Sequence, residues 1–186
     1  NTNERIIRNY LLFDEGDTIT SLTLTDNERI IRQLPYIYDS RIMVIPVSES
    51  EADIMVVTKD SYSLGGELTL RGAGKGSLWL FEKNLLGIGH ELKFEVPWSS
   101  ESSDSPGIGA YYNINNIRKS FLNLNLQYYN ALDIETYGIS LTRKLISSET
   151  RYAGGAVLRY MHTLEDLDTL PEPEPIEYTF QDYWIQ

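Results

Sequence analysis

Leu122-Asn123-Leu124-Asn125-Leu126-Gln127-Tyr128, with Phe121 before it, alternates without a break: the even positions are apolar, and Asn123, Asn125 and Gln127 fill the odd ones. A β-strand turns successive side chains to opposite faces, so the stretch makes one apolar face and one amide-lined face. His90-Glu91-Leu92-Lys93-Phe94-Glu95-Val96 repeats the period with charge on alternate positions. A water-soluble sandwich alternates too, and three further features favour a membrane barrel. Candidate strands from residue 65 onward run about 9–12 residues, the length of a tilted bilayer crossing. Aromatics stand near strand ends, at Trp79, Trp98, Tyr111, Tyr128-Tyr129, Tyr152, Tyr160 and Tyr183-Trp184, as an interfacial girdle requires. Short connections (Gly87-Ile88-Gly89, Arg118-Lys119, Ser147-Ser148-Glu149) alternate with longer polar ones (99–107 and 163–177), as in barrels with turns at one end and loops at the other. Strands are expected at about 65–73, 76–86, 89–99, 108–117, 120–133, 135–146, 151–164 and 178–186, eight in all.

The first 64 residues follow a different period. Asn-Glu-Arg-Ile-Ile-Arg occurs at 3–8 and again at 27–32. In the first copy Ile6, Ile7, Tyr10 and Leu11 share a helical face, Thr2 or Asn3 caps the start, and Gly16-Asp17 is the expected stop. In the second, Thr25 or Asp26 is the expected cap, Ile30, Ile31 and Leu34 form the face, and Pro35 limits the run. Two strands follow, at 41–47 and 53–59, joined by the acidic turn Ser48-Glu49-Ser50-Glu51. The flanks of the two copies differ, so this is a shared surface solution and not a tandem repeat. Ile6, Ile7, Ile30, Ile31 and Leu34 are the expected core of this unit, with Arg5, Arg8, Arg29 and Arg32 largely solvated.

Charge divides the 186 residues again. Residues 1–64 hold 11 acids and 6 bases, 65–161 hold 9 and 10, and 162–186 hold 7 acids and no base, for a net charge of −11. No basic field exists to collect phosphates, which disfavours a nucleic-acid partner. The absence of cysteine excludes disulfides and thiolate metal sites. No run of 18 apolar residues is present, which excludes a membrane-spanning helix but leaves a barrel open. A chain that opens at Asn1 directly in a helical pattern reads as a trimmed piece.

The helix-helix-strand-strand unit, with Gly16-Asp17 between its helices, resembles a POTRA domain. That is the periplasmic module of the outer-membrane assembly and translocation β-barrels, the surface-antigen superfamily whose best-known member is the barrel subunit of the BAM complex. Leu80-Phe81-Glu82-Lys83-Asn84-Leu85-Leu86-Gly87-Ile88-Gly89 is similar to that family's second barrel strand and following turn. The resemblance covers nearly the whole chain. It implies a partial POTRA domain at 1–64, its first strand upstream of Asn1, and the N-terminal half of the barrel at 65–186, about eight of sixteen strands. The family's Arg-Gly-Phe/Tyr motif belongs to the second half, and its Pro-Tyr pair near the fourth strand is replaced by Asn115-Asn116-Ile117. The fold class expected is thus an α+β unit (α-α-β-β) followed by antiparallel transmembrane strands. Leu122, Leu124, Leu126 and Tyr128 are expected to face lipid, and Gly66, Leu68, Thr69, Leu70 and Gly72 to form the first strand of a lateral seam. The resemblance further implies an outer-membrane location with the small unit in the periplasm. Its implied partners are outer-membrane lipid, unfolded or translocating clients and accessory assembly proteins.

Catalytic readings are weak. Gly72-Ala73-Gly74-Lys75-Gly76-Ser77 invites a phosphate loop, but Gly follows the Lys and no helix pattern follows, so a hairpin turn is the better reading. His90 and His162 lie on different strands and offer too few ligands for zinc. Residues 99–105 are serine-rich without a nucleophile elbow. Residues 165–177, with Pro171, Pro173 and Pro175 between acids, read as an extended outer loop with at most weak calcium affinity. No catalytic, cofactor or metal residue is assigned. The competing function class is a soluble or surface-attached all-β binding module; a detergent requirement separates it from a barrel.

Overall fold

The computed structural model describes residues 1–147, 150–165 and 174–186. Its elements are α1 (Glu4–Asn9), α2 (Ser21–Arg32), β1 (Ile37–Pro46), β2 (Ala52–Asp60), β3 (Leu64–Leu70), β4 (Lys75–Glu82), β5 (His90–Ser99), β6 (Ile108–Ile114), β7 (Leu122–Ala131), β8 (Ile134–Arg143), β9 (Gly154–Glu165) and β10 (Glu174–Ile185). They form a two-stranded sheet, β1-β2, and an eight-stranded antiparallel meander from β3 to β10 in chain order. The meander is open, with β3 and β10 at its edges. No helix among the described residues is long and apolar enough to cross a membrane.

The end of α1 and the start of α2 differ from expectation, for reasons in hydrogen bonding. Asn3 caps α1, its side chain accepting from the Arg5 amide, but the helix ends at Asn9, well before Gly16-Asp17. The cause is Asn27, fully buried. Its Oδ1 accepts from the Leu12 amide at 2.9 Å and its Nδ2 donates to the Tyr10 carbonyl at 2.8 Å, taking the backbone groups that would continue the helix. Helix α2 begins at Ser21, capped by Thr20, whose hydroxyl accepts from the Thr23 amide. Thr25 and Asp26 therefore lie inside it, and the Thr25 hydroxyl donates back to the Ser21 carbonyl. Ile7, Tyr10, Ile30, Ile31, Leu34, Tyr36 and Ile37 form one buried cluster, with Ile6 and Leu11 packed against it. Arg29 and Arg32 are less free than expected: each is about half exposed, and they donate to the carbonyls of Ile146 and Ser40, both at 2.8 Å.

In the large sheet every residue pair is in simple register. Phe94, Ala110, Tyr128, Tyr137 and Tyr160 fall in one row across it, and Leu92, Tyr112, Leu126, Ile139 and Leu158 in the next. This is the apolar face, and it is the exposed one: Leu80 is 52% and Ile139 45% accessible, against 6% for Ser77 and 3% for Thr136 on the polar face. The sheet thus turns its polar side inward and its apolar side out, the reverse of a soluble sandwich.

Three expectations need correction here. Strands β3, β4 and β6 have 7, 8 and 7 residues, shorter than a full crossing. They are cut by turns that bend the backbone to positive φ at Gly72 and Gly74, at Leu86 and Gly87, and at Asn116. Gly72 accordingly lies in the turn and not in the first barrel strand. The girdle is only partly outward: Tyr128 and Tyr160 are in the outer row, but Trp79 and Tyr111 stack on the inner face with centroids 5.5 Å apart, and Tyr129 shares their parity. In β10 the phase flips. Tyr178, Phe180 and Trp184 pair with Met161, Arg159 and Gly155 on the inner face, leaving Thr179 and Gln181 outward. Connections do not sort by length either. The end nearest the small unit has segments 83–89, 115–121 and 144–153, and the far end has 71–74, 100–107 and the two-residue turn Leu132-Asp133. Ser148-Glu149 and most of the acidic 165–177 stretch, Pro171 and Pro173 included, lie outside the described residues.

Candidate functional site at the joint and the open edge

The small unit is tied to the large sheet through the near-end turns. In the first turn Leu85–Gly87 is a short 3-10 segment. Asn84 Oδ1 accepts from the Gly89 amide at 2.7 Å and closes the turn, while its Nδ2 donates to the Thr2 hydroxyl at 2.9 Å. Thr2 in turn donates its amide and hydroxyl to the Asp60 carboxylate, and the Asn3 amide donates to the Gly87 carbonyl at 2.9 Å. Two glycines are demanded by the approach. A Cβ on Gly87 would stand 2.4 Å from the Asn1 carbonyl oxygen, and one on Gly89 would stand 2.9 Å from both Ile6 Cγ2 and Tyr36 Oη. The Asn-Leu-Leu-Gly-Ile-Gly stretch is thus a socket for the small unit as well as a turn.

A second turn repeats the arrangement with other residues. Asn116, at φ 53, accepts from the Phe121 amide through Oδ1 and donates to the Asn9 carbonyl through Nδ2 at 2.7 Å. Lys119 pairs with Asp14 and donates to the Phe13 carbonyl, and Phe121 meets Tyr10 edge-on at 6.3 Å between centroids. At the third turn Arg29 donates to the Ile146 carbonyl. Each neutral bond contributes about 1 kcal/mol net and those to charged groups somewhat more, so the joint is held by many small terms.

The inner face carries a polar network. Asn113 donates to Glu91 at 2.9 Å, Asn125 donates to Asn113, Lys93 pairs with Glu91 at 3.0 Å, and the Tyr111 hydroxyl donates to Glu95 at 3.4 Å. At the edge, β3 pairs with β4 alone, from Leu64↔Glu82 to Leu70↔Gly76. Among the described residues no strand pairs with its other row of backbone donors and acceptors. Gly65 is covered by the Phe81 ring, on which a Cβ would intrude to 2.5 Å, so an aromatic side chain supports the ladder where glycine cannot.

No protein-family model matches this chain, and no curated protein matches it either. In structure it is similar to BamA from Haemophilus ducreyi, crystallised without POTRA domains 1-3, with a TM-score of 0.58 and 15% identity. The fold is that of a BamA-like barrel wall. The match covers 99% of this chain and 41% of that one, so the chain spans less than half of its neighbour.

Within this BamA-like wall, Leu122, Leu124, Leu126 and Tyr128 stand together on the exposed apolar face, and Asn123, Asn125 and Gln127 on the inner one. Gly66, Leu68, Thr69 and Leu70 lie on the open edge strand, Thr69 facing inward with Ser77 and Leu68 outward with Leu78. Ile7, Ile30, Ile31 and Leu34 converge in one core, whereas Ile6 reaches out of it to Gly89. His90, bonded to the Tyr112 hydroxyl at 2.6 Å, and His162 sit at opposite ends of their strands and do not approach each other. Sequence reasoning named Thr2 as a candidate helix cap, Asn84 and Asn116 in family-like stretches and Lys119 in a turn, and it assigned neither these nor Asp60 to a joint. The available signal was an asparagine opening each of two near-end turns, Asn84 before Gly87-Ile88-Gly89 and Asn116 before Arg118-Lys119.

Proposed function

We propose that this chain is part of a non-enzymatic outer-membrane β-barrel machine that assembles outer-membrane proteins or translocates clients. The small unit is read as a partial POTRA domain at 1–64 facing the periplasm, and residues 65–186 as the N-terminal half of the barrel. Leu122, Leu124, Leu126 and Tyr128 then contact lipid. The observation that carries the reading is a meander of eight antiparallel strands whose apolar side faces out and whose polar side faces in. In the complete barrel β3 would meet a closing strand at a seam, and a seam that opens is a template for a client strand. The strand is weakly braced, with Gly65 and Gly66 at one end and only Leu68 and Leu70 beyond. The unpaired edges of the β1-β2 ribbon offer a second place for strand addition, to clients or accessory proteins.

The test is a lock on the seam in the full-length protein. A disulfide joining Thr69→Cys to a cysteine in the closing strand should leave the barrel folded and block insertion or transport, with activity returning on reduction. Full activity of the locked protein would remove the seam mechanism. A soluble monodisperse monomer in plain buffer would favour the all-β binding module instead.

A further inference from the structure

Charge on the large sheet is sorted by end. Among the described residues, the far end carries Glu101, Asp104, Asp133, Glu135, Glu174 and Glu177 against Arg71 and Lys75. The near-end turns and strand ends carry Lys83, Arg118, Lys119, Arg143, Lys144 and Arg151 against Glu82, Asp182 and Glu91, the last paired with Lys93. Lys119 is used by Asp14 and Lys83 lies over the Phe81 ring. The other four near-end cations have no hydrogen bond or ion pair among the described residues. Arg143 is the most telling. It stands on the apolar face in the row of Leu122 and Gly154, and its Nε is buried without a partner. That N–H lacks the acceptor a buried donor normally has, as does the Nε of Arg159 on the inner face.

Apolar side chains are interleaved with these cations. Leu86 is 91% exposed, Tyr152 is largely exposed and Leu145 half exposed, all at the near end. Bare leucines and a tyrosine set among arginines and lysines match the boundary between hydrocarbon and headgroups, where cationic side chains lay their stems on apolar surface and hold their heads at phosphate level.

We propose that this near-end rim is a collar for anionic phospholipid headgroups of the membrane leaflet on the small unit's side. Arg118, Arg143, Lys144 and Arg151 supply the charge, and the exposed apolar residues seat the acyl chains. The proposal rests on the reading of the sheet as a membrane barrel. The chain's net charge of −11 would by itself repel an anionic surface, so any preference for one must arise locally.

Insertion of the full-length protein would be compared between phosphatidylcholine vesicles and vesicles with a minority of phosphatidylglycerol, read by flotation and protease protection. The wild type should prefer the anionic vesicles, and the preference should shrink in high salt. Each of Arg118→Gln, Arg143→Gln, Lys144→Gln and Arg151→Gln should lower it roughly fivefold at low salt, and the four together should abolish it. The set Arg118→Lys, Arg143→Lys and Arg151→Lys should retain it, which separates charge from folding. Insertion into both lipids without preference, or a preference that survives the fourfold glutamine variant, would overturn the collar alone. Failure to insert into either would overturn the barrel reading and the collar with it.

Discussion

The small unit and the large sheet obey opposite rules within one chain. In the unit, Ile31 and Tyr36 are 0% and 1% accessible and arginines decorate the outside. In the sheet, leucines, isoleucines and tyrosines are exposed while asparagines, glutamates and threonines turn inward. Hydrophobic burial accounts for the small unit, and on the proposed reading the large sheet finds its apolar surroundings in the bilayer. The joint between them combines an apolar contact, Phe121 and Ile146 against the small unit's core, with specific polar bonds. Asn84 and Asn116 supply such bonds by closing a turn with one side-chain group and holding the unit with the other.

The contrast breaks most sharply at a single strand. Leu124→Arg puts a charge on the outer face between Leu122 and Leu126 and should cost about 2–4 kcal/mol in the bilayer, enough to impair insertion. Asn125→Arg, one residue away on the inner face, should insert normally. Protease protection in reconstituted vesicles reads both, and equal tolerance of the two would count heavily against a barrel.

The joint can be weakened without touching either core. Gly89 and Gly16 both have positive φ, 72 and 90, so alanine strains either backbone similarly. Only at Gly89 would the new Cβ meet neighbours, Ile6 and Tyr36; at Gly16 nothing lies within 4 Å. Gly89→Ala should thus cost about 1–3 kcal/mol more than Gly16→Ala and should loosen the unit from the sheet. Limited proteolysis at residues 61–63 measures this. Equal cleavage of the two variants would mean that the socket contact is unimportant.

Alternation made the large sheet legible: the eight strands fall close to the positions read from the sequence, and Leu122, Leu124, Leu126 and Tyr128 share one face of it. Helix faces were legible for the same reason, since Ile7, Ile30, Ile31 and Leu34 mark a stripe. What stayed hidden depended on partners distant in the chain. Asn27 looks like an ordinary helix residue until Tyr10 and Leu12 are placed beside it. The Leu132-Asp133 turn has no glycine to announce it. Both residues adopt positive φ, and the 100–107 loop steadies them, with the Leu132 amide donating to the Asp104 carbonyl and the Ser102 hydroxyl to Asp133. The girdle failed at Trp79 and Tyr111 because proximity to a strand end does not say which face a residue takes.

The smallest expected effect lies where the two regions touch. The Tyr36 hydroxyl is buried against Gly89 and near the Tyr10 hydroxyl, without a well-formed hydrogen bond. Removing it by Tyr36→Phe should leave stability at neutral pH unchanged or raise it by about 1 kcal/mol, since an unsatisfied buried hydroxyl is lost. The alkaline side should show more. Burial pushes the ionisation of both Tyr10 and Tyr36 above the ordinary tyrosine range, so the folded protein keeps protons that the unfolded chain releases. Stability from these groups is complete below a pH of about 10 and falls as pH rises beyond it, by up to roughly 1.4 kcal/mol per pH unit for each tyrosine. With Tyr10 alone remaining, Tyr36→Phe should show a shallower alkaline loss than the wild type. Urea unfolding of the small unit within the full-length protein, followed across that range, reads the slope. An unchanged slope would mean that Tyr36 is not held protonated by burial, and that its hydroxyl reaches water on the joint side.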